Sequence, residues 1–133
     1  MKKGVLPDGY FEIVDNNRLN KNQPARARFL LEIDMSTHSN PRFGREKAAP
    51  SVAYIMSKVY RERFGANSGR WLVVTTGDVR MKNLMNQTRK VIGQQAMIFF
   101  FTTFDQLKHG NILKSPIWWQ VDKTDPQPLL NKG

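Results

Sequence analysis

Glu32 and Asp34 close a short apolar run, Ala27-Arg28-Phe29-Leu30-Leu31-Glu32-Ile33-Asp34-Met35, and a third acid, Asp8, stands upstream in Pro7-Asp8-Gly9. Alternate side chains of a β-strand project to the same face. As a strand, the run directs Glu32 and Asp34 one way and Phe29, Leu31, Ile33 and Met35 the other. Carboxylates at the end of an apolar strand cost stability unless they are hydrated, paired or metal-bound. Oxygen ligands of this kind suit Mg²⁺ or Mn²⁺, ions usually held by one or two carboxylates plus water and substrate phosphates. A cation so held polarises a phosphate and lowers the pKa of a bound water. The chemistry open to Asp8, Glu32 and Asp34, with Glu12 in reserve, is therefore metal-assisted phosphodiester hydrolysis.

Bringing the three acids together requires a hairpin. Asp8 to Val14 alternates polar Asp8, Tyr10 and Glu12 with apolar Phe11 and Ile13, the period of a strand. The polar, Asn-rich stretch Asp15 to Pro24 is loop chemistry, so the Ala27–Met35 strand is expected to return antiparallel beside the first. That pairing carries Asp8 toward Glu32 and Asp34. Helical spacing then takes over. Val52, Ile55, Met56, Val59, Tyr60 and Phe64 predict a helix from about Pro50 to Phe64, with a turn of helix across Arg45–Ala49 before it and Gly65 as its cap. Pro50 suits a first helical turn and not an interior.

Trp71-Leu72-Val73-Val74-Thr75-Thr76 is a continuous apolar, β-branched run, the pattern of a strand buried on both faces. Asp78 is expected to cap a helix over about Val79–Ile92, whose Leu84, Met85, Thr88, Val91 and Ile92 face the core and which Gly93 stops. Ala96–Thr103 predicts another buried strand, with a short helix or turn near Asp105–Lys108. Trp118 and Trp119 are expected to pack on the body, and the tail from about Asp125 to fray. Strand, strand, helix, strand, helix, strand implies crossover connections after a front hairpin. The fold class is α/β: a mixed sheet flanked by helices, one domain over residues 1–133.

Composition fits that reading. The 133 residues hold 40% hydrophobic side chains with eight Phe and three Trp, enough for one core and too few for two domains. Disulfides, thiolate metal sites and cysteine nucleophiles are excluded because there is no cysteine. The start is not a signal peptide and no apolar run nears the roughly 20 residues of a bilayer span, which predicts a cytoplasmic protein off the membrane. A balance of 21 Lys+Arg to 11 Asp+Glu, net +10, points to a polyanion, nucleic acid first. Arg45, Lys58, Arg61, Arg80 and Lys82 are the candidate contacts to its backbone; the plainer alternative is a solvated basic surface.

Pro7-Asp8, a strand, Glu32-x-Asp34 in the next strand, then helix and strand resembles the PD-(D/E)XK restriction-endonuclease-like superfamily. The wording is more narrowly similar to the plasmid replication-relaxation protein family. It matches in Pro7-Asp8-Gly9-Tyr10-Phe11-Glu12, Phe29 to Thr37, Tyr60-Arg61-Glu62-Arg63-Phe64-Gly65, Val73-Val74-Thr75-Thr76 and Phe100-Phe101-Thr102-Thr103, running from Pro7 to about Trp119. The resemblance implies Mg²⁺ (or Mn²⁺) on the Asp and Glu, and a Lys that positions or activates the attacking water. It implies a DNA endonuclease or nickase of a plasmid or phage replication system, with a homodimer or a winged-helix partner as further expectations. Members of the narrower family usually carry a winged-helix half before this domain, so the chain is expected to be a stand-alone version or an excised C-terminal domain. One departure is visible: Asp34 stands where the superfamily has its Lys. Lys47, then Arg45, are the candidates to supply that charge from the following helix. Failing such a rescue, the alternative is a catalytically inactive DNA-binding or assembly module with the same fold; RNA cleavage at the same site is a third reading.

Each candidate has a plain role beside the chemical one. Asp8 between Pro and Gly is ordinary turn chemistry. Glu32 can be an ion-paired strand end, and Asp34 can cap Ser36-Thr37 or pair with Arg42. His38 could serve as a general base, Thr75-Thr76 and Thr102-Thr103 could bond phosphates, and Trp118-Trp119 could stack on bases. Exposure for His38 and packing for the others are the alternatives.

Overall fold

A computed structural model of the chain describes residues 7–14, 26–35, 40–64 and 69–130. The Asn-rich segment, His38 and the Gly65 cap lie outside these residues. Strands β1 (Gly9–Val14), β2 (Arg26–Ile33), β3 (Arg70–Thr75) and β4 (Phe99–Thr103) form one sheet in the order β1-β2-β3-β4. β1 and β2 are antiparallel, whereas β2–β3 and β3–β4 are parallel. The result is the expected mixed sheet with its hairpin in front.

Strand alternation divides the core in two. Leu30, Trp71, Val73, Phe99 and Phe101 face one side, where they pack with the helical residues Phe43, Ala48, Val52, Ile55, Tyr60, Met81 and Leu84. Phe29, Leu72 and Val74 face the other and bury Trp118, with Leu107, Ile117 and Leu129 against them. The main helices thus cover one face and a short helix with the C-terminal segment covers the other. The tail does not fray at Asp125. Gln127 exchanges both backbone hydrogen bonds with Trp118, and the Leu130 N–H donates to Leu113 O at 3.0 Å. Burial of Leu129 on an otherwise open sheet face holds the segment down.

The helical layer is more broken than the sequence predicts. After α1 (Asn40–Phe43), the chain winds through a π-helical segment, Gly44–Ala48, into α2 (Ala49–Ile55), with Pro50 in its first turn. A separate α3 spans Lys58–Phe64. Ser57 explains the break between them. Its hydroxyl donates to Tyr54 O at 2.6 Å and accepts from the Tyr60 N–H at 3.1 Å, ending one helix and capping the next. α4 (Asp78–Ile92) buries Met81, Leu84 and Thr88 on one stripe and stops at Gly93, whose φ of +58° suits glycine. Gly77, one residue earlier than expected, is its N-cap, and Val91 is 40% exposed instead of buried. Ala96–Ile98, predicted as strand, belong to a 3₁₀ turn over Gly93–Ile98. α5 covers Phe104–His109, capped by the Thr103 hydroxyl.

Gly44 sets how closely the π-helical segment approaches α4. A Cβ there would lie 2.8 Å from Val91 Cγ2 and 3.1 Å from Gln87 O, too near for any side chain without displacement. That close crossing fixes the path of the segment that carries Lys47.

Candidate active site

The register of the hairpin decides where the acids go. Gly9 pairs with Leu31, so Asp8 lies across from Glu32 at the end of the ladder. The Asp8 N–H donates to Leu31 O at 2.7 Å, and Asp8 Oδ2 accepts from the Ile33 N–H at 2.8 Å. Like charges placed opposite each other on a sheet destabilise it. A positive charge nearby offsets that repulsion, and Lys47 supplies one beside Glu32, its Nζ 3.6 Å from Oε2. Asp8, Glu32 and Lys47, from separate segments of the chain, line one cleft of about 290 Å³ together with Ile33, Asp34, Met35 and Phe43.

Glu32 is the strained member of this group. Burial pushes its carboxyl above the ordinary range; Lys47 opposes that shift, while Asp8 and Asp34 add to it. A carboxyl half-withdrawn from water and facing another acid is poised to gain from a further cation.

Asp34 has a different environment. It is 5% exposed, and its backbone N–H continues the ladder to Val74 O at 2.8 Å. Arg80 Nε donates to Oδ2 at 2.9 Å and Arg80 Nη2 to Oδ1 at 3.0 Å, while the buried Thr75 hydroxyl donates to Oδ2 at 2.6 Å. Both oxygens are thereby engaged in a bidentate ion pair. The three expected carboxylates do line one cleft, but Asp34 is locked there to an arginine. Among the described residues, no three His, Cys, Asp or Glu side chains come together as a metal-holding group. Asp8 and Glu32 fit a two-carboxylate site for a hard cation, completed by water and phosphate. Asp34 does not fit as a third ligand, because Arg80 and Thr75 occupy it.

The remaining candidates scatter. Arg80 sits at the start of α4 with its side chain only 14% exposed against Asp34, so it does not present a guanidinium to a nucleic-acid backbone as expected. Arg45, Lys58, Arg61 and Lys82 are exposed, Lys58 lying 3.8 Å from Glu62. Glu12, the reserve ligand, pairs with Arg28 at 3.3 Å two rungs from the cleft. Thr75 serves Asp34, and Thr103 caps α5 by accepting from the Gln106 N–H. Trp118 is buried and its indole N–H donates to Ile112 O, so packing is its role. Sequence reasoning missed the Asp34–Arg80–Thr75 unit. The available signal was a polar residue ending each of two buried runs, with an Arg in the first turn of the helix that follows the second.

No protein-family model, curated protein or solved structure matches this chain. Among the described residues no helix is long and apolar enough to cross a membrane.

Proposed function

We propose that the chain is a restriction-endonuclease-like domain, akin to the plasmid replication-relaxation proteins, that binds DNA and hydrolyses phosphodiester bonds with Mg²⁺ or Mn²⁺. The observation that carries this reading is Lys47 Nζ at 3.6 Å from Glu32, beside Asp8, in one cleft. With Asp34 in the position where the superfamily has its Lys, a cation arriving from the following helical segment restores the missing charge. Mixed sheet order and the strand-end position of both acids support the same reading.

In this reading Asp8 and Glu32 hold the metal, whose contribution is to polarise the scissile phosphate and acidify a bound water. Lys47 holds its ammonium at the phosphate or the attacking water. Water adds to phosphorus, the bridging P–O bond breaks, and the leaving oxygen takes up a proton. Arg45, Lys58, Arg61 and Lys82, spread over the helical layer, hold the flanking backbone by charge.

A second reading has its own observation. The lack of a three-ligand group among the described residues favours a catalytically silent module that keeps the fold and binds DNA. Supercoiled plasmid with Mg²⁺ or Mn²⁺ separates the two. Nicking by the parent and not by Glu32→Ala is the expected result; binding by both with cleavage by neither overturns the nuclease. Binding should weaken steeply with salt, as phosphate contacts require.

A further inference from the structure

Lys47 reaches Glu32 from a stretch of backbone that regular α-helical bonding does not hold. Pro50 has no N–H, so the donor that Glu46 O would take in an α-helix is missing, and the proline ring crowds that same carbonyl. The chain answers with the π-helical turn Gly44–Ala48, closed by the Ala49 N–H donating to Gly44 O. Such turns are rare and are found disproportionately at functional sites. This one is tied down at both ends. Gly44 packs closely on Val91 and Gln87 of α4. Beyond the other end, the Ser51 hydroxyl donates to Lys47 O at 2.5 Å, and Ser51 O accepts from the Trp71 indole N–H at 3.2 Å.

We infer that Ser51 is a positioning residue for Lys47: its hydroxyl fixes the Lys47 carbonyl and so holds the ammonium in the cleft for the chemical step. The catalytic consequence rests on the nuclease reading. A serine bonded to the carbonyl one helical turn before it is common and by itself marks nothing. Here three features coincide. The carbonyl belongs to the residue whose side chain enters the cleft. Ser51 is 4% exposed, so water is not at hand to replace its hydroxyl. Its own carbonyl is tied to Trp71, fully buried on β3, which pairs with the strand that carries Glu32. Contacts thus run from the sheet through Ser51 to Lys47 and return to the sheet at Glu32. A small misplacement of a reacting group lowers a rate even where its contacts survive.

The test has two readouts on Ser51→Ala and on Ser51→Thr, which keeps the hydroxyl. The first is ¹³C relaxation at Lys47 Cε, with Lys58, whose side chain is 88% exposed, as the mobile reference. Lys47 should be the more ordered of the two in the parent, fall toward Lys58 in Ser51→Ala and recover in Ser51→Thr. The second is nicking of supercoiled plasmid with Mg²⁺. Ser51→Ala should lower the rate constant at saturating protein roughly five-fold, the worth of one hydrogen bond, and leave plasmid affinity unchanged. Ser51→Thr should restore the rate. Lys47 order that Ser51→Ala leaves intact, a rate loss that Ser51→Thr does not recover, or a loss of affinity in place of rate each overturns the positioning role. A parent that nicks nothing while Lys47 order responds as expected instead overturns the nuclease reading, and the catalytic consequence with it.

Discussion

Glu32 and Asp34 are two carboxylates two residues apart on the same strand, facing the same helical layer, and they are treated in opposite ways. Asp34 is the more deeply buried, yet its charge is fully answered by a bidentate Arg80 and the Thr75 hydroxyl. Glu32 is less buried and less well answered: one ammonium at 3.6 Å, with Asp8 opposed across the ladder. Burial alone therefore does not mark a functional carboxylate. What distinguishes them is the balance left after the neighbours are counted. Asp34 fastens the end of β2 to β3 and to the first turn of α4. Glu32, on the strand so fastened, carries a charge that Lys47 answers only in part.

The largest effect should come from breaking the compensated site. Arg80→Met leaves Asp34 buried and charged without its partner, a loss expected to reach about 3–5 kcal/mol. For a chain of this size that lowers Tm by roughly 10–15 °C. Adding Asp34→Asn to Arg80→Met should recover much of the loss, because the uncompensated charge goes with it. A Tm for Arg80→Met within about 2 °C of the parent would show that the pair holds nothing together.

The second prediction turns to the uncompensated site. Without metal, Glu32→Gln should be as stable as the parent or slightly more so at neutral pH, since the ionised form of Glu32 is disfavoured by folding. With Mg²⁺ or Mn²⁺ at about 100 times its Kd, the parent should gain about 2.7 kcal/mol and the variant essentially none. Calorimetric scans with and without metal check both halves. Equal metal-induced gains would remove Glu32 from the cation site.

Strand order and the faces of β1 and β2 were legible because alternation is a local signal. Asp8, Tyr10 and Glu12 against Phe11 and Ile13 declares a face within one strand, and the polar segment after it declares a hairpin. Even Lys47 could be nominated, since Asp34 occupies a position where a lysine was expected and the next helix was near. Arg80 was legible only as a surface cation. Its pairing with Asp34 depends on the parallel crossover from β2 to β3 closing over most of the 46 residues between them, information that exists only in the packing. The break at Ser57 was misread for a related reason. An apolar 3.6-residue pattern runs through Met56 and Val59, yet both are over 60% exposed, and a single hydroxyl that caps α3 overrides the periodicity. The fate of the tail was likewise decided by an uncovered sheet face that no local pattern announces.

The smallest effect, and the finest probe of the contrast, belongs to Lys47. Its side chain is 36% exposed and its nitrogen 3.6 Å from Glu32, so the pair is worth no more than about 1 kcal/mol. Its pH dependence is the informative part. A raised carboxyl pKa means that the folded protein binds more protons than the unfolded chain between the ordinary Glu value and the raised one. Stability contributed by Glu32 is then complete below the ordinary value and is lost as pH climbs through the raised value. Lys47 opposes that rise, so Lys47→Met should extend the window to higher pH and deepen the loss across it. At acid pH, where Glu32 is neutral in both states, parent and variant should unfold at the same urea concentration; toward neutral pH the variant should fall behind. A difference that stays constant across pH would mean that Lys47 acts by packing its aliphatic stem, and that Glu32 faces Asp8 without its help.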